Sequence, residues 1–160
     1  MAINNRVIDF LATGFWISLI PARFNSYKKF KGTGLFGTLL ALLLAPLLPG
    51  NFFAFTAFLL FFFFFSVWIS GRAFGEAGEK DNPLIVIDEV CGYWVSLLFI
   101  SRDLKSLLTA FVFFRFFDTL KPWPIKRIEA ETGGGAGIVL DDVLAGVYAG
   151  ILTFLLSKFI

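Results

Sequence analysis

Apolar residues fall into six long stretches, Val7–Ile20, Gly34–Leu48, Phe52–Ser70, Leu84–Ile100, Leu104–Phe117 and Ile138–Ile160, and most charges lie between them or near their ends. No ten-residue stretch repeats the alternation that a membrane strand requires, and open sheet edges are not tolerated in lipid, so helices are expected throughout. The punctuation agrees: Pro21, Pro46, Pro49-Gly50-Asn51, Gly71, Asn82-Pro83, Pro122, Pro124 and the glycine-rich run 133–137 separate the stretches. Crossing the hydrocarbon core takes about 20 helical residues, with about 17 as a working minimum. Phe52–Ser70, Leu84–Ile100 and the last stretch reach it, whereas Gly34–Leu48 and Leu104–Phe117 are short. Val7–Ile20 reads either as a span or as a helix lying in the interface. The expected fold class is all-α, a compact multi-helix integral membrane bundle of about 5–6 helical segments, forming a single domain over residues 1–160.

Composition sharpens this. Hydrophobic residues make up 58% of the chain and phenylalanine alone supplies 23, and the mean hydropathy of +0.80 places much of the surface in lipid. A net charge of +2 without a long basic run argues against a nucleic-acid partner. The single cysteine, Cys91, forms no internal disulfide and reads as a small buried residue. Histidine is absent, which removes His bases and nucleophiles, Ser-His-Asp arrangements and the usual zinc sites. Arg6 precedes the first apolar stretch, but Asp9 interrupts it and no small-x-small cleavage site follows, so no signal peptide is expected.

Loop charge gives an orientation. If the stretches after residue 33 cross as helices, loops 21–33, 71–83 and 118–137 share one side and carry Arg23, Lys28, Lys29, Lys31, Arg72, Lys80, Lys121, Lys126 and Arg127. The opposite loops hold only Arg102 and Lys105, so the larger loops face the cytoplasm. The acids follow without having been used: Asp88 and Glu89 after Pro83, Asp118 at the end of the fifth stretch, and Asp141 and Asp142 after Gly137. At about 1.5 Å per helical residue, all five lie within roughly 10 Å of one membrane face.

Acids near a helix start are favoured by the dipole alone, but five at one depth repel one another unless cations intervene. Arg115, three residues before Asp118, can pair with it, and Lys121 can reach the same region; two cations do not balance five anions. A hard divalent ion held by oxygen would, and Mg2+ is the expected cofactor because it needs neither His nor Cys. Asp141 and Asp142 point about 100° apart on a helix, so one can face a metal while the other meets a second partner. The run "TGGGAG" at 132–137 offers backbone N–H groups and a helix start to an anion, which makes Gly134 and Gly135 candidate phosphate contacts beside the basic loop. Other phosphatase chemistries do not fit: Cys91 lacks an Arg six residues on, there is no Asp-x-Asp pair, and there is no His. The alternative class is a small ion or proton carrier, which would spread its carboxylates through the bilayer depth.

"IDEVCGYW" (87–94), "FRFFDTLKPWPI" (114–125) and "GGGAGIVLDDVLAG" (133–146) closely resemble, in order and spacing, the three signature stretches of the phosphatidylglycerophosphatase A family. The likeness covers most of the chain from about residue 30, and residues 1–30 match loosely. It implies an all-helical, Mg2+-dependent phosphatase of the bacterial inner membrane, multi-pass, with its site facing the cytoplasm. The implied substrate is phosphatidylglycerophosphate, converted to phosphatidylglycerol, with membrane lipid as the surroundings and a homo-oligomer left open. It also implies that Asp88, Glu89, Asp118, Asp141 and Asp142 are the family's acidic positions, as metal ligands and catalytic groups, and that Lys121 is its Lys-Pro lysine. Arg115 joins Gly134 and Gly135 as a candidate on the phosphate side. The family's early stretch reads roughly Pro-Gly-Thr-x-Gly-Ser-Leu; here Thr33–Leu39 stands in its place without the Pro or the first Thr, leaving Thr33, Gly34 and Thr38 as candidate phosphate contacts. In this reading the metal polarises the phosphoryl group and readies water, Lys121 and the glycine backbone stabilise charge, and an Asp nucleophile stays open beside water.

Overall fold

A computed structural model describes residues 2–24, 32–73 and 82–158, and among these every regular element is helical. The helices are α1 (Ala2–Ala12), α2 (Leu19–Phe24), α3 (Thr33–Leu44), α4 (Phe52–Ser70), α5 (Ile87–Ser96), α6 (Leu104–Leu120), α7 (Ile125–Glu131) and α8 (Gly134–Leu156), with a 3-10 turn at Ala45–Leu47. The lysines of loop 21–33 and Lys80 lie outside the described residues.

Eight α-helices among the described residues replace the five or six segments expected, and the reasons are local. The Val7–Ile20 stretch is cut in two because Gly14, Phe15 and Trp16 adopt φ of 58°, 61° and 66°, a left-handed run that no α-helix can carry through. The Thr13 hydroxyl donates to the Asp9 carbonyl at 2.7 Å, and the Ser18 hydroxyl donates to the Leu84 carbonyl at 2.8 Å. These bonds supply polar partners at the break. The loop expected over 118–137 contains α7, which starts directly after Pro124. The stretch Leu84–Ile100 shortens to the ten residues of α5, about 15 Å of helix, too little to cross a bilayer alone.

Among the described residues, two helices are long and apolar enough to cross a membrane, α4 with 19 residues and α8 with 23. Asn51 starts α4 by accepting from the Phe53 and Ala54 N–H groups, and Asp103 starts α6 by accepting from Ser106, both standard N-cap bonds. Outward, α4 shows Phe53, Phe61 and Phe64, and α6 shows Leu104, Leu108, Val112, Phe116 and Leu120 at a spacing of four. Such apolar stripes on the outside are what a lipid-facing helix carries.

The core gathers around α5. Tyr93, Phe55 and Phe114 are its largest fully buried side chains. The Tyr93 hydroxyl donates to the Leu107 carbonyl at 2.9 Å, and Trp94 Nε1 donates to the Ala41 carbonyl at 3.0 Å. These bonds tie α6 and α3 to α5 while keeping two polar groups satisfied. Against α8 the approach is closer. A Cβ on Gly92 would overlap the Asp142 carbonyl, and one on Gly146 would overlap the Gly92 carbonyl. Only glycine permits two helix backbones to meet at this separation.

Replacing Gly146 by Leu should therefore wedge α5 from α8 and lower stability by about 1–3 kcal/mol or more. At Gly50 an added Cβ meets nothing within 4 Å, so Gly50→Ala should stay within about 0.5 kcal/mol of the parent. Thermal unfolding of the two variants in the same detergent checks the pair.

Candidate active site

Four helix ends converge at one end of the bundle. The first turn of α5 brings Asp88 and Glu89, the third turn of α8 brings Asp141 and Asp142, the last two turns of α6 bring Arg115 and Asp118, and the start of α3 brings Thr33 and Gly34. All of these line one cavity of about 620 Å3, together with Lys121, Lys126, Glu129 and Gly134. Among the described residues, its wall carries six carboxylates, Asp88, Glu89, Asp118, Glu129, Asp141 and Asp142, and three cations, Arg115, Lys121 and Lys126.

Two of the cations are already engaged. Arg115 pairs with Asp118 at 2.8 Å and donates to the Thr38 hydroxyl at 3.2 Å. Thr38 is fully buried and passes its own proton to the Gly34 carbonyl at 2.9 Å, so it touches the site through Arg115. Lys121 closes α6 in the left-handed region, with φ of 44°. From there its ammonium bridges Glu129 of α7 at 2.5 Å and Asp141 of α8 at 2.6 Å. Burial by itself would lower its pKa, but the bonds to Asp141 and Glu129 outweigh burial and hold it above the ordinary lysine value. Lys121 therefore stays charged and serves as a fixed positive point.

Asp88, Glu89 and Asp142 have no such partner. Each offers an oxygen, and these oxygens lie within 4.8 Å of one another. Among the described residues no cation pairs with any of the three. Asp88 Oδ1, Glu89 Oε2 and Asp141 Oδ1 are buried with no hydrogen-bond partner. Buried carboxylates without hydrogen bonds or counter-charge are costly, and three side by side repel as well. An all-oxygen set of this kind suits a hard divalent cation such as Mg2+, so the residues fit the metal that their chemistry implies. Close packing enforces the cluster: a Cβ on Gly34 would overlap the Glu89 carboxylate and come within 3.1 Å of the Arg115 guanidinium.

The paired acids divide as their helical offset requires, Asp142 toward the trio and Asp141 toward Lys121. The glycine run behaves differently from a loop. Gly134 starts α8 and lines the cavity, with φ of 64°, whereas Gly135 packs against α4, where a Cβ would overlap the Val67 carbonyl. Glu129 was not visible from sequence as a site residue. It reaches Lys121 only because α7 folds back after Pro124, and its sequence signal is no more than an acid in a short charged run.

Fold and cavity together define an all-helical protein with a buried acidic centre at one end of its bundle. The chain belongs to the phosphatidylglycerophosphatase A family, whose model matches residues 10–157. Phosphatidylglycerophosphatase A of Haemophilus influenzae is 36% identical over 148 residues, covering 92% of this chain and 86% of that one. The Escherichia coli protein of the same name is 38% identical over 91 residues, covering 56% and 53%. A Bacteroides thetaiotaomicron protein, provisionally named phosphatidylinositol-3-phosphatase, is 37% identical over 99 residues, covering 60% and 61%. No solved structure matches the chain.

Binding of Mn2+ as a spectroscopic stand-in for Mg2+ should depend on the trio. Asp142→Asn, which removes a ligand charge, is expected to weaken it by at least the roughly 10–100-fold that loss of an outer partner costs, and Asp103→Asn, at the opposite loop, to leave it unchanged. Titration of the detergent-solubilised protein followed by electron paramagnetic resonance measures both.

Proposed function

We propose that this chain is a Mg2+-dependent phosphatase that removes the terminal phosphate of phosphatidylglycerophosphate, releasing phosphatidylglycerol and inorganic phosphate. It works as a single membrane domain over residues 1–160, in the bacterial inner membrane, with the cavity open to the cytoplasm. The observation that carries this reading is the unpartnered trio of Asp88, Glu89 and Asp142 beside two braced cations in a cavity of about 620 Å3. Six carboxylates against three cations would repel a phosphate ester; a divalent ion on the trio reverses that field. Gathering the carboxylates at one end of the bundle also suits a reaction site better than an ion path, which needs polar groups along its length.

In this proposal Mg2+ is held by Asp88, Glu89 and Asp142, and when bound it supplies Lewis-acid polarisation of the phosphoryl group. Lys121, clamped by Glu129 and Asp141, sets a positive charge where the phosphoryl oxygens gain negative charge. Its two ion pairs hold the ammonium in place as a fixed charge, so its contribution is electrostatic. Arg115 is held by Asp118 and Thr38 and adds N–H groups on the cavity wall. Water attacks phosphorus while Asp118 takes one of its protons; the bond from phosphorus to the glycerol oxygen breaks, and Asp118 returns that proton to the departing oxygen. In the second route Asp118 itself attacks phosphorus, and the glycerol oxygen leaves and takes a proton from solvent water. A second water then hydrolyses the aspartyl phosphate to release phosphate and restore Asp118; a trapped aspartyl phosphate distinguishes this route from the first.

Purified protein should release phosphate from phosphatidylglycerophosphate in preference to phosphatidate and glycerol 3-phosphate, and lose the activity in EDTA. Asp118→Asn should lower kcat by about 100-fold or more, and Lys121→Met by about 100–1,000-fold, each measured below its own unfolding temperature, where the variant remains folded. Absence of release from every substrate by folded protein overturns the enzyme reading.

A further inference from the structure

Lys126 is left over by the chemistry described so far. It sits in the first turn of α7, is exposed, and lines the cavity. Arg115 is bound to Asp118 and Lys121 to Glu129 and Asp141, whereas Lys126 has no acidic or hydrogen-bonding partner among the described residues. Arg127, its neighbour, pairs with Glu131 at 2.8 Å and is not part of the cavity wall. Lys126 is therefore the one cavity-lining cation among the described residues that is still free for a ligand.

Its position says which part of a ligand it meets. Trp123, three residues earlier, is 76% exposed, and Leu120, at the end of the apolar stripe of α6, is 61% exposed. An exposed tryptophan next to an apolar helix end marks the headgroup level of a membrane. The carboxylate trio and the braced Lys121 lie inside the cavity, and Lys126 stands at its exposed side. A lipid reaching in from the membrane presents the phosphate joined to its diacylglycerol at this level and its terminal phosphate inside.

We infer that Lys126 binds the phosphodiester of the lipid substrate, the phosphate that is not cleaved, and so selects lipids carrying two phosphates in series over simple phosphomonoesters. The inference rests on the phosphatase reading above and adds a specificity residue to it. Lysine suits the task because a phosphodiester carries one diffuse negative charge and needs no bidentate fork.

The test separates the two phosphates with two inhibitors. Phosphatidylglycerol carries only the phosphodiester, and inorganic phosphate mimics only the terminal group. Lys126→Gln should raise KM for phosphatidylglycerophosphate about tenfold, the loss of one charge-assisted bond. It should weaken inhibition by phosphatidylglycerol to a similar degree and leave inhibition by inorganic phosphate as it was. Lys126→Arg should recover most of the loss, and Arg127→Gln should change none of these constants. An unchanged KM in Lys126→Gln, equal weakening of both inhibitors, or an equal effect from Arg127→Gln would overturn the inference, the last by reducing it to general surface charge. Failure of the phosphatase reading itself is seen separately, as no turnover by the unsubstituted protein.

Discussion

The site depends on a single point of contact where three helices meet without room for one more carbon atom. Gly92 of α5 lies against the Asp142 carbonyl of α8, Gly146 of α8 lies against the Gly92 carbonyl, and the Phe114 ring of α6 closes over Gly92, 2.8 Å from where a Cβ would stand. Asp88 is one helical turn before Gly92, Asp142 is at the contact, and Arg115 follows Phe114 directly. Fixing the backbones there fixes the carboxylates and the guanidinium as a consequence. Larger side chains at either glycine would set the helices several ångströms further apart, and the oxygens of Asp88, Glu89 and Asp142 would no longer lie within reach of a common ion.

That packing creates an electrostatic demand which the protein meets only in part. Arg115 neutralises Asp118, and Lys121 serves Asp141 and Glu129 at once. Both cations are thereby held in place, which matters because a preorganised charge does not reorganise as the reaction proceeds. No described cation makes an ion pair with the trio, so most of its repulsion is left unrelieved. Natural proteins do not keep three adjacent carboxylates buried for stability's sake, since removing such charges is commonly neutral or stabilising. The cluster makes physical sense as a receptor for a cation, and with the cation the cavity changes from repelling phosphate to attracting it.

Much of this could be read from residues alone, and the boundary follows the range of the interactions. Most residues of the six apolar stretches became helical because period and hydropathy are local properties. The five acids met in one cavity because helix rise and the positions of Pro83, Pro122 and Gly137 set their depth. The division of Asp141 from Asp142 followed from the 100° offset alone. The left-handed run at Gly14–Trp16 was hidden, because Phe15 and Trp16 are residues that normally avoid positive φ. So was the short span of α5, whose ends are set by contacts with neighbouring helices. Glu129 was invisible for the same reason: its partner lies across a turn whose geometry no spacing rule supplies. The glycine run looked like an anion-binding loop, but Gly135 is there to let α8 touch α4.

Helix α6 shows how one element can serve both lipid and water. Leu104, Leu108, Val112, Phe116 and Leu120 make an exposed apolar row, while Phe114 is buried against α5 and Arg115 and Asp118 face the cavity. Phe116 and Asp118 are two residues apart and so point about 200° from each other, one outward and one into the site. The border between an apolar exterior and a charged interior thus runs along a single helix and ends at Lys121, beside Trp123. A molecule that keeps its chains against the row and its headgroup in the cavity need not leave the membrane to react, and its transfer into water, which costs about 0.8 kcal/mol per CH2 group, is avoided. Under the proposed phosphatase function, the apolar row and the acidic centre would be parts of one substrate site, with the chemistry at the helix end because that is where a lipid changes from hydrocarbon to phosphate.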